Sequence, residues 1–355
     1  MPKNKVTIKD VAREAEVNPS VVSRVLNKDS TLKVREETRE RVWEAAEKLN
    51  YRPNRTAKML RTKKSRMIAV LISKFSDLYF TTVLEGIVRV AEERGYIISV
   101  FSTEEDRKKG SEYIETVYEY GMDGAILASS YVEEETLQQL KYSSVPMVML
   151  RRNPREYGVM GVLADELAGV SMAMEHLIRL GHRKIAHISG QLFSRSGLKR
   201  FEGYRKGLYE NGIPYRVEYV QESDQTEKGG YRAMMCLLEL EDPPTAVFAF
   251  NDTVAYGAMS AVWDKGLRIP EDISVVGYDN TILAGHMHPR LTTVDGRMKD
   301  MGVLGAKMLI DVIEGKEEID NQKMTESDIM IQPLFVVRES TGRVKEEITL
   351  HGGKQ

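Results

Sequence analysis

The chain has 355 residues, 42% hydrophobic and 29% charged, a balance expected of a soluble globular protein with two or three domains and ample core. No apolar run approaches the ~18 residues that a membrane span needs, and the start, without an apolar leader, predicts a cytoplasmic address. The net charge of -2 conceals an asymmetry: residues 1–65 carry 17 Lys and Arg against 9 Asp and Glu, whereas the remainder carries 34 against 44. Cys236 is the only cysteine, which excludes an intramolecular disulfide and a cysteine-rich zinc site; within Met234 to Leu238 it reads as an inert core thiol.

Three short helices are expected first. Thr7 with Asp10 three positions later has the form of a capping box, and Ile8, Val11, Ala12 and Ala15 follow at helical spacing. Asn18 is a good N-cap, followed by Pro19 at the first helical position, with Val21, Val22, Val25 and Leu26 as the buried face. A third helix runs from about Glu36 to Leu49. The first two are close enough to form a helix-turn-helix, whose second helix enters the major groove by its N-terminal residues. That geometry places Pro19, Ser20 and Arg24 nearest base edges, with Arg24 as the guanine reader because its fork donates to both O6 and N7. Thr7, Asn18 and Ser23 suit phosphates, which position the head without reading sequence. The alternative is a purely structural three-helix unit. From Asn50 to Arg66 there are seven basic residues and no acid, including Arg55, Lys58, Arg61 and Lys63, which fits a segment tracking phosphates or a solvated linker.

From Met67 apolar runs alternate with amphipathic helices. Strands are expected at Met67 to Ile72, Ile97 to Phe101 and Gly124 to Ala128, with helices Leu78 to Arg94 and Lys108 to Tyr120 between them. After Val162 the alternation restarts, with strands Lys184 to Ile188, Val217 to Val220 and Thr245 to Phe250. The fold class is therefore α/β, two doubly wound parallel-sheet lobes preceded by an all-α head, and ligands in such folds bind outside the carboxyl ends of strands. The cleft between lobes is the expected binding site.

Several motifs carry a resemblance. Val6 to Ala12, Val17 to Asn27 and Leu49 to Asn54 resemble the head of the lactose-repressor/galactose-repressor family of transcription factors. Glu16 stands where that family commonly has Gly, and Val21 where a Thr is common. The resemblance implies a hinge helix over Asn54 to Arg61 that forms on operator binding, with Asn54 and Arg55 at the DNA and Leu60 as a wedge in the minor groove. Gly181 to Ala186, Arg200 to Tyr204, Phe248 to Asp252, Val276 to Asn280 and Val337 to Thr341 resemble periplasmic sugar-binding proteins, a likeness the repressor family shares.

Carried over, this implies effector contacts from Arg200, Asn251 and Asp279, from Ser194 and Ser196, from Tyr79 and Phe80, and from Asp165 at the crossing between lobes. Asp77 stands where Asn is common, Arg151 where relatives usually have Asp, and Gln225 where many sugar sensors place an aromatic. Two arginines facing the cleft would favour an anionic effector, a sugar acid or sugar phosphate; the competing reading pairs Arg151 with Asp165 or another acid.

The domains expected are a DNA-binding head at 1–50, a hinge and linker at 51–65, a core at 66–341 and a tail at 342–355. Within the core, one lobe takes 66–163 and 295–325 and the other 164–294 and 326–341. The function expected is a homodimeric repressor of palindromic operator DNA, controlled allosterically by a small sugar-like effector, with no cofactor, metal or membrane partner. A DNA-binding sugar kinase is the rival, but neither Gly-x-x-x-x-Gly-Lys-Ser/Thr nor Gly-x-Gly-x-x-Gly occurs. An unregulated sugar-binding protein is another. His286 and His288 read as surface residues.

Overall fold

The computed structural model describes residues 6–27, 29, 31–52, 59, 62, 64–316 and 329–345. The chain divides into two compact units, Met1–Ser65 and Arg66–Gln355. In the first, helices α1 (Ile8–Glu14), α2 (Pro19–Leu26) and α3 (Glu36–Lys48) bury Val11, Val22, Val25, Val42, Ala45 and Ala46 against one another. Local chemistry starts the first two. The Thr7 backbone N–H donates to Asp10 Oδ2 at 2.9 Å, and Asn18 Oδ1 accepts from the Ser20 N–H at 2.9 Å. The turn between them places Glu16 at φ 51, the left-handed region that Gly adopts without cost, and Val17 N–H closes it on the Ala12 carbonyl at 3.0 Å.

The second unit holds two six-stranded sheets. Sheet one comprises β1 (Met67–Ile72), β2 (Ile97–Ser102), β3 (Gly124–Leu127), β4 (Met147–Leu150), β5 (Met160–Ala164) and β11 (Ile329–Ile331), all parallel, in the order β11-β5-β4-β3-β1-β2. Sheet two comprises β6 (Ile185–Ser189), β7 (Val220–Glu222), β8 (Ala246–Ala249), β9 (Ser274–Tyr278), β10 (Thr292–Asp295) and β12 (Leu334–Val336), in the order β12-β10-β9-β8-β6-β7, with only β12 antiparallel. Helices α4 (Leu78–Arg94), α5 (Arg107–Glu119) and α6 (Glu134–Gln139) connect strands of the first lobe. Helices α7 (Glu166–Arg179), α8 (Arg195–Glu210), α9 (Glu227–Leu238) and α10 (Asp252–Asp264) serve the second, and α11 (Met298–Ile313) returns to pack on α4. That contact is backbone to backbone: a Cβ at Gly86 would lie 2.2 Å from the Lys299 carbonyl oxygen, and one at Gly302 2.1 Å from that of Val83.

The central strands are apolar on both faces because helices cover both, as parallel sheets require. Four expectations are corrected. Val217–Tyr219 forms a 3-10 turn and the strand begins at Val220, where the chain first pairs with β6. The chain leaves the first lobe for the last time after Ile331 rather than near 325, because Ile329 pairs with Val162 and fills the open edge of β5. The stretch 342–345 is not free tail: Gly342 N–H donates to Ser274 Oγ at 3.0 Å and Val344 N–H to the Leu180 carbonyl at 3.0 Å. Cys236 is exposed, since the buried stripe of α9 runs through Ala233, Met234 and Leu237 and leaves position 236 outside it.

Candidate functional sites

On the head, α2 is solvent-facing at Ser20 in its first turn and at Arg24 in its last, while Ser23 is half-buried and Thr7 lies exposed at the start of α1. Asn18 caps its own helix, and its Oδ1 also accepts the Ser20 hydroxyl at 2.8 Å; Pro19 fills the first helical position. Arg24 is braced, which periodicity did not foretell. Its Nε donates to Asp29 Oδ2 at 2.7 Å and its Nη2 to Thr31 Oγ1 at 2.8 Å. The hydrogen bond from Thr31, then that from Arg24, pull the Asp29 carboxyl down to about 2, so it stays ionised and holds the guanidinium. Val21 is half-buried against the head core. Asn54, Arg55, Leu60 and Lys63, and with them most of the hinge helix, lie outside the described residues.

In the body, a small cleft opens at the carboxyl ends of the strands. Its first-lobe wall includes Lys74, Asp77, Phe80, Tyr131 and Arg151; its second-lobe wall includes Gln191, Phe193, Ser194 and Gln225. Tyr131 spans the gap, donating its hydroxyl to Gln191 Oε1 at 2.9 Å. Each wall is set by a helix start or a strand end. Asp77 caps α4 by accepting the Tyr79 N–H at 3.0 Å, and Ser194 caps α8 by accepting the Gly197 N–H at 3.0 Å. Arg151, just past β4, takes φ 71, and its guanidinium lies 4.3 Å over the buried Tyr79 ring, which in turn meets Phe80 edge-on. Asp165 is not among the cleft residues: it caps α7 through the Ala168 N–H at 3.0 Å and makes no ion pair with Arg151.

A buried ionic cluster gathers Arg200, Ser196 and Asp279, three of the expected residues, around Glu166, which sequence reasoning missed. Arg200 is only 2% exposed and is satisfied by protein: Nε to Glu166 Oε2 at 2.7 Å, Nη1 to the Phe250 carbonyl at 2.5 Å, and Nη2 to Asp279 Oδ1 at 3.4 Å. Its plane lies 3.5 Å from the centre of the Tyr278 ring. Burial works against its charge, but Glu166 and Asp279 outweigh that and raise its affinity for the proton. Burial likewise pushes Glu166 upward, yet Arg200 and the Ser196 hydroxyl, 2.9 Å away, hold its carboxyl below its ordinary range. Asp279, only 5% exposed and at φ 108, is pushed by burial up to about 8 against the pull of Arg200. Asn251 caps α10 through the Val254 N–H at 2.9 Å. Asp252 beside it, also missed, is pushed by burial to about 6 and accepts from Thr293 Oγ1 at 2.6 Å and Thr281 N–H at 2.6 Å.

Residues 7–54 match the model of bacterial regulatory proteins of the lacI family, and residues 174–341 match a periplasmic binding protein-like domain. The HTH-type transcriptional repressor PurR of Aliivibrio salmonicida (strain LFI1238) is 34% identical over 311 residues, 87% of this chain and 93% of that one. Among solved structures, the lac repressor dimer bound to operator and the anti-inducer ONPF superposes with a TM-score of 0.83 at 28% identity, covering 96% of this chain and all of that one. The complex of the transcriptional regulator CelR with cellobiose gives a TM-score of 0.69 at 30% identity, covering 94% and 99%. A helix-turn-helix head in front of a two-lobed binding body, matched over nearly the whole length of such relatives, makes this chain a DNA-binding transcriptional regulator and a member of the lacI family.

Proposed function

We propose that the chain is a homodimeric repressor of palindromic operator DNA whose affinity is set by a small polar metabolite held between its lobes. The observation that carries this reading is the combination, in one chain, of Ser20 in the first turn and Arg24 in the last turn of α2, both exposed, with a polar cleft at the carboxyl ends of both sheets. The lac repressor dimer bound to operator and CelR bound to cellobiose support it by likeness. The rival reading as a sugar kinase draws no support from relatives named as transcriptional repressors.

In this reading, residues 1–50 bind DNA, 51–65 form the hinge, and 66–345 sense the effector and pair the subunits. Pro19, Ser20 and Arg24 meet base edges; Thr7, Asn18, Ser23, Asn54 and Arg55 hold backbone, and Leu60 wedges the minor groove. One head covers one half-site, so a two-fold dimer matches a palindrome. Phe80, Arg151 and Ser194 meet the effector directly, with Tyr79 as the platform beneath Arg151. Ser196, Arg200, Asn251 and Asp279 form the rigid floor of the second lobe, and Asp165 sets the crossing between lobes. The metabolite shifts operator affinity only as far as it binds the two lobe arrangements unequally. The protein works in the cytoplasm, without membrane attachment or a catalytic step; among the described residues no helix is long and apolar enough to cross a membrane.

Selection of duplexes from a random library at near-physiological ionic strength, with and without candidate metabolites, tests the reading. Recovery of one palindrome, bound with a steep salt dependence, is the expected result. No preference over random duplex refutes it.

A further inference from the structure

The cleft's positive charges are unequally satisfied. Lys74 is matched by Glu105 at 2.6 Å, and Arg200 is enclosed by Glu166, Asp279 and the Phe250 carbonyl. Arg151 is the exception: among the described residues its guanidinium has no hydrogen-bond acceptor and no ion-pair partner, only the rings of Tyr79 at 4.3 Å and Phe80 at 5.9 Å. Asp77 shares the cleft; burial pushes its carboxyl up and the nearby Arg151 charge pulls it back, but its Oδ1 is occupied by the Tyr79 N–H and it forms no hydrogen bond or ion pair with Arg151.

This is an unusual way to leave an arginine. A half-buried guanidinium carries five donors that ordinarily find acceptors, and its backbone occupies the left-handed region, which bulky residues rarely adopt unless the surroundings hold them there. Stacking on Tyr79 fixes the plane of the fork without using any of its N–H groups. What the fork lacks is a planar acceptor with two oxygens. Beyond the charged Lys74, Asp77 and Glu105, the cleft is polar at Ser130, Gln191, Ser194 and Gln225, with Phe80 and Phe193 as apolar faces, which suits a hydroxylated carbon skeleton. One guanidinium without a hydrogen-bonded partner, with the carboxylates of Asp77 and Glu105 in the same cleft, fits a single negative charge better than a phosphate dianion.

We propose that Arg151 is the anion seat of this cleft and that the effector is a hydroxylated carboxylate of the sugar-acid class. The proposal rests on the reading of the cleft as the effector site. It replaces the two-arginine expectation, because Arg200 is already neutralised within the protein.

Titration calorimetry on the full chain tests it with gluconate, galactonate, glucuronate and galacturonate, set against glucose, galactose and their 6-phosphates. Binding of an acid but not of its neutral or phosphorylated counterpart is expected. Arg151→Gln should weaken that binding about 10- to 100-fold, the range for a lost charge-assisted bidentate contact. Arg151→Lys, which keeps the charge without the fork, should fall between, and a folded thermal transition for either variant separates lost binding from lost structure. A neutral sugar or a 6-phosphate that binds as tightly as the acids overturns the proposal. So does an acid whose affinity Arg151→Gln leaves unchanged. If no compound binds while the protein still selects one palindrome, the carboxylate assignment falls and the repressor reading stands; if palindrome selection also fails, the underlying reading falls with it.

Discussion

Replacing Glu166 by Gln removes one charge from the buried cluster while keeping the shape of the side chain, and the structure lets the cost be bounded. Arg200 would retain the Phe250 carbonyl at 2.5 Å and Asp279 at 3.4 Å. Breaking a buried ion pair from one side costs about 3–5 kcal/mol, because a charge is left without compensation in a poorly solvated place. Here Asp279 is a reserve: with its carboxyl pushed up to about 8, ionising it at neutral pH costs only about 1.4 kcal/mol, less than an unmatched guanidinium would. The expected loss for Glu166→Gln is therefore the lower bound, about 3 kcal/mol. Asp279→Asn alone should cost less than about 1 kcal/mol near neutrality, since the native group already holds its proton most of the time. The double variant should exceed the sum of the two by about 1–2 kcal/mol, because no reserve remains. Urea unfolding reports the body alone if Trp43 in the head, 47% exposed, is first changed to Phe, leaving Trp263 on α10 as the only indole. A Glu166→Gln cost below about 1 kcal/mol, or strict additivity of the pair, would refute the reasoning.

Three further outcomes are expected. From pH 6.5 to 8 the body should lose about 1.5 kcal/mol of stability, since native Asp279, at about 8, still holds a proton that the unfolded chain released near its ordinary carboxylate value. His176, His182 and His187, all lowered by burial, work against that loss at the low end of the window as the unfolded histidines give up their protons, while Asp252, raised to about 6, works with it, so Asp279→Asn should flatten the slope above about pH 7.5; an unchanged slope there in thermal melts argues against the assignment. Glu16→Gly should stabilise the isolated head unit by about 0.5–1 kcal/mol, the relief of a left-handed L-residue less the entropy of Gly, and a lower melting temperature would count against it. Arg24→Ala should erase discrimination of about 1–3 kcal/mol at one base pair, and Asp29→Ala should weaken the same discrimination several-fold while leaving the salt dependence intact; measured on point-substituted operators, equal preference in wild type and both variants removes Arg24 from the readout.

Long periodic segments were legible from sequence: the helix expected at Leu78 to Arg94 has those limits, and Val11, Val22 and Val42 meet as the spacing implied. Capping residues located helix starts wherever the cap was recognised. Helix α8 begins at Arg195 because Ser194 caps it. Two kinds of feature escaped. Three-residue strands such as Ile329–Ile331 and Leu334–Val336 are too short to show alternation, and only the open edges of β5 and β10 make them strands. Partnerships across the fold are equally silent: Glu166 looks like an ordinary acid in the first turn of a helix until Arg200, 34 positions later, is brought to 2.7 Å from it. The brace from Asp29 to Arg24 is the local counterpart, readable in principle from an acid five residues beyond a basic group at the end of a helix.

The order in which the two sheets close has a consequence for synthesis. Both take their outermost strand from 329–336, after almost the whole body has been made. A growing chain leaving the ribosome therefore presents β5 and β10 with bare edges until 329–336 emerge, whereas helices α1 to α3 of the head all lie within the first fifty residues. Translation that stalls late would release a polypeptide with a finished head on an unsealed body, open to strand addition by a neighbour.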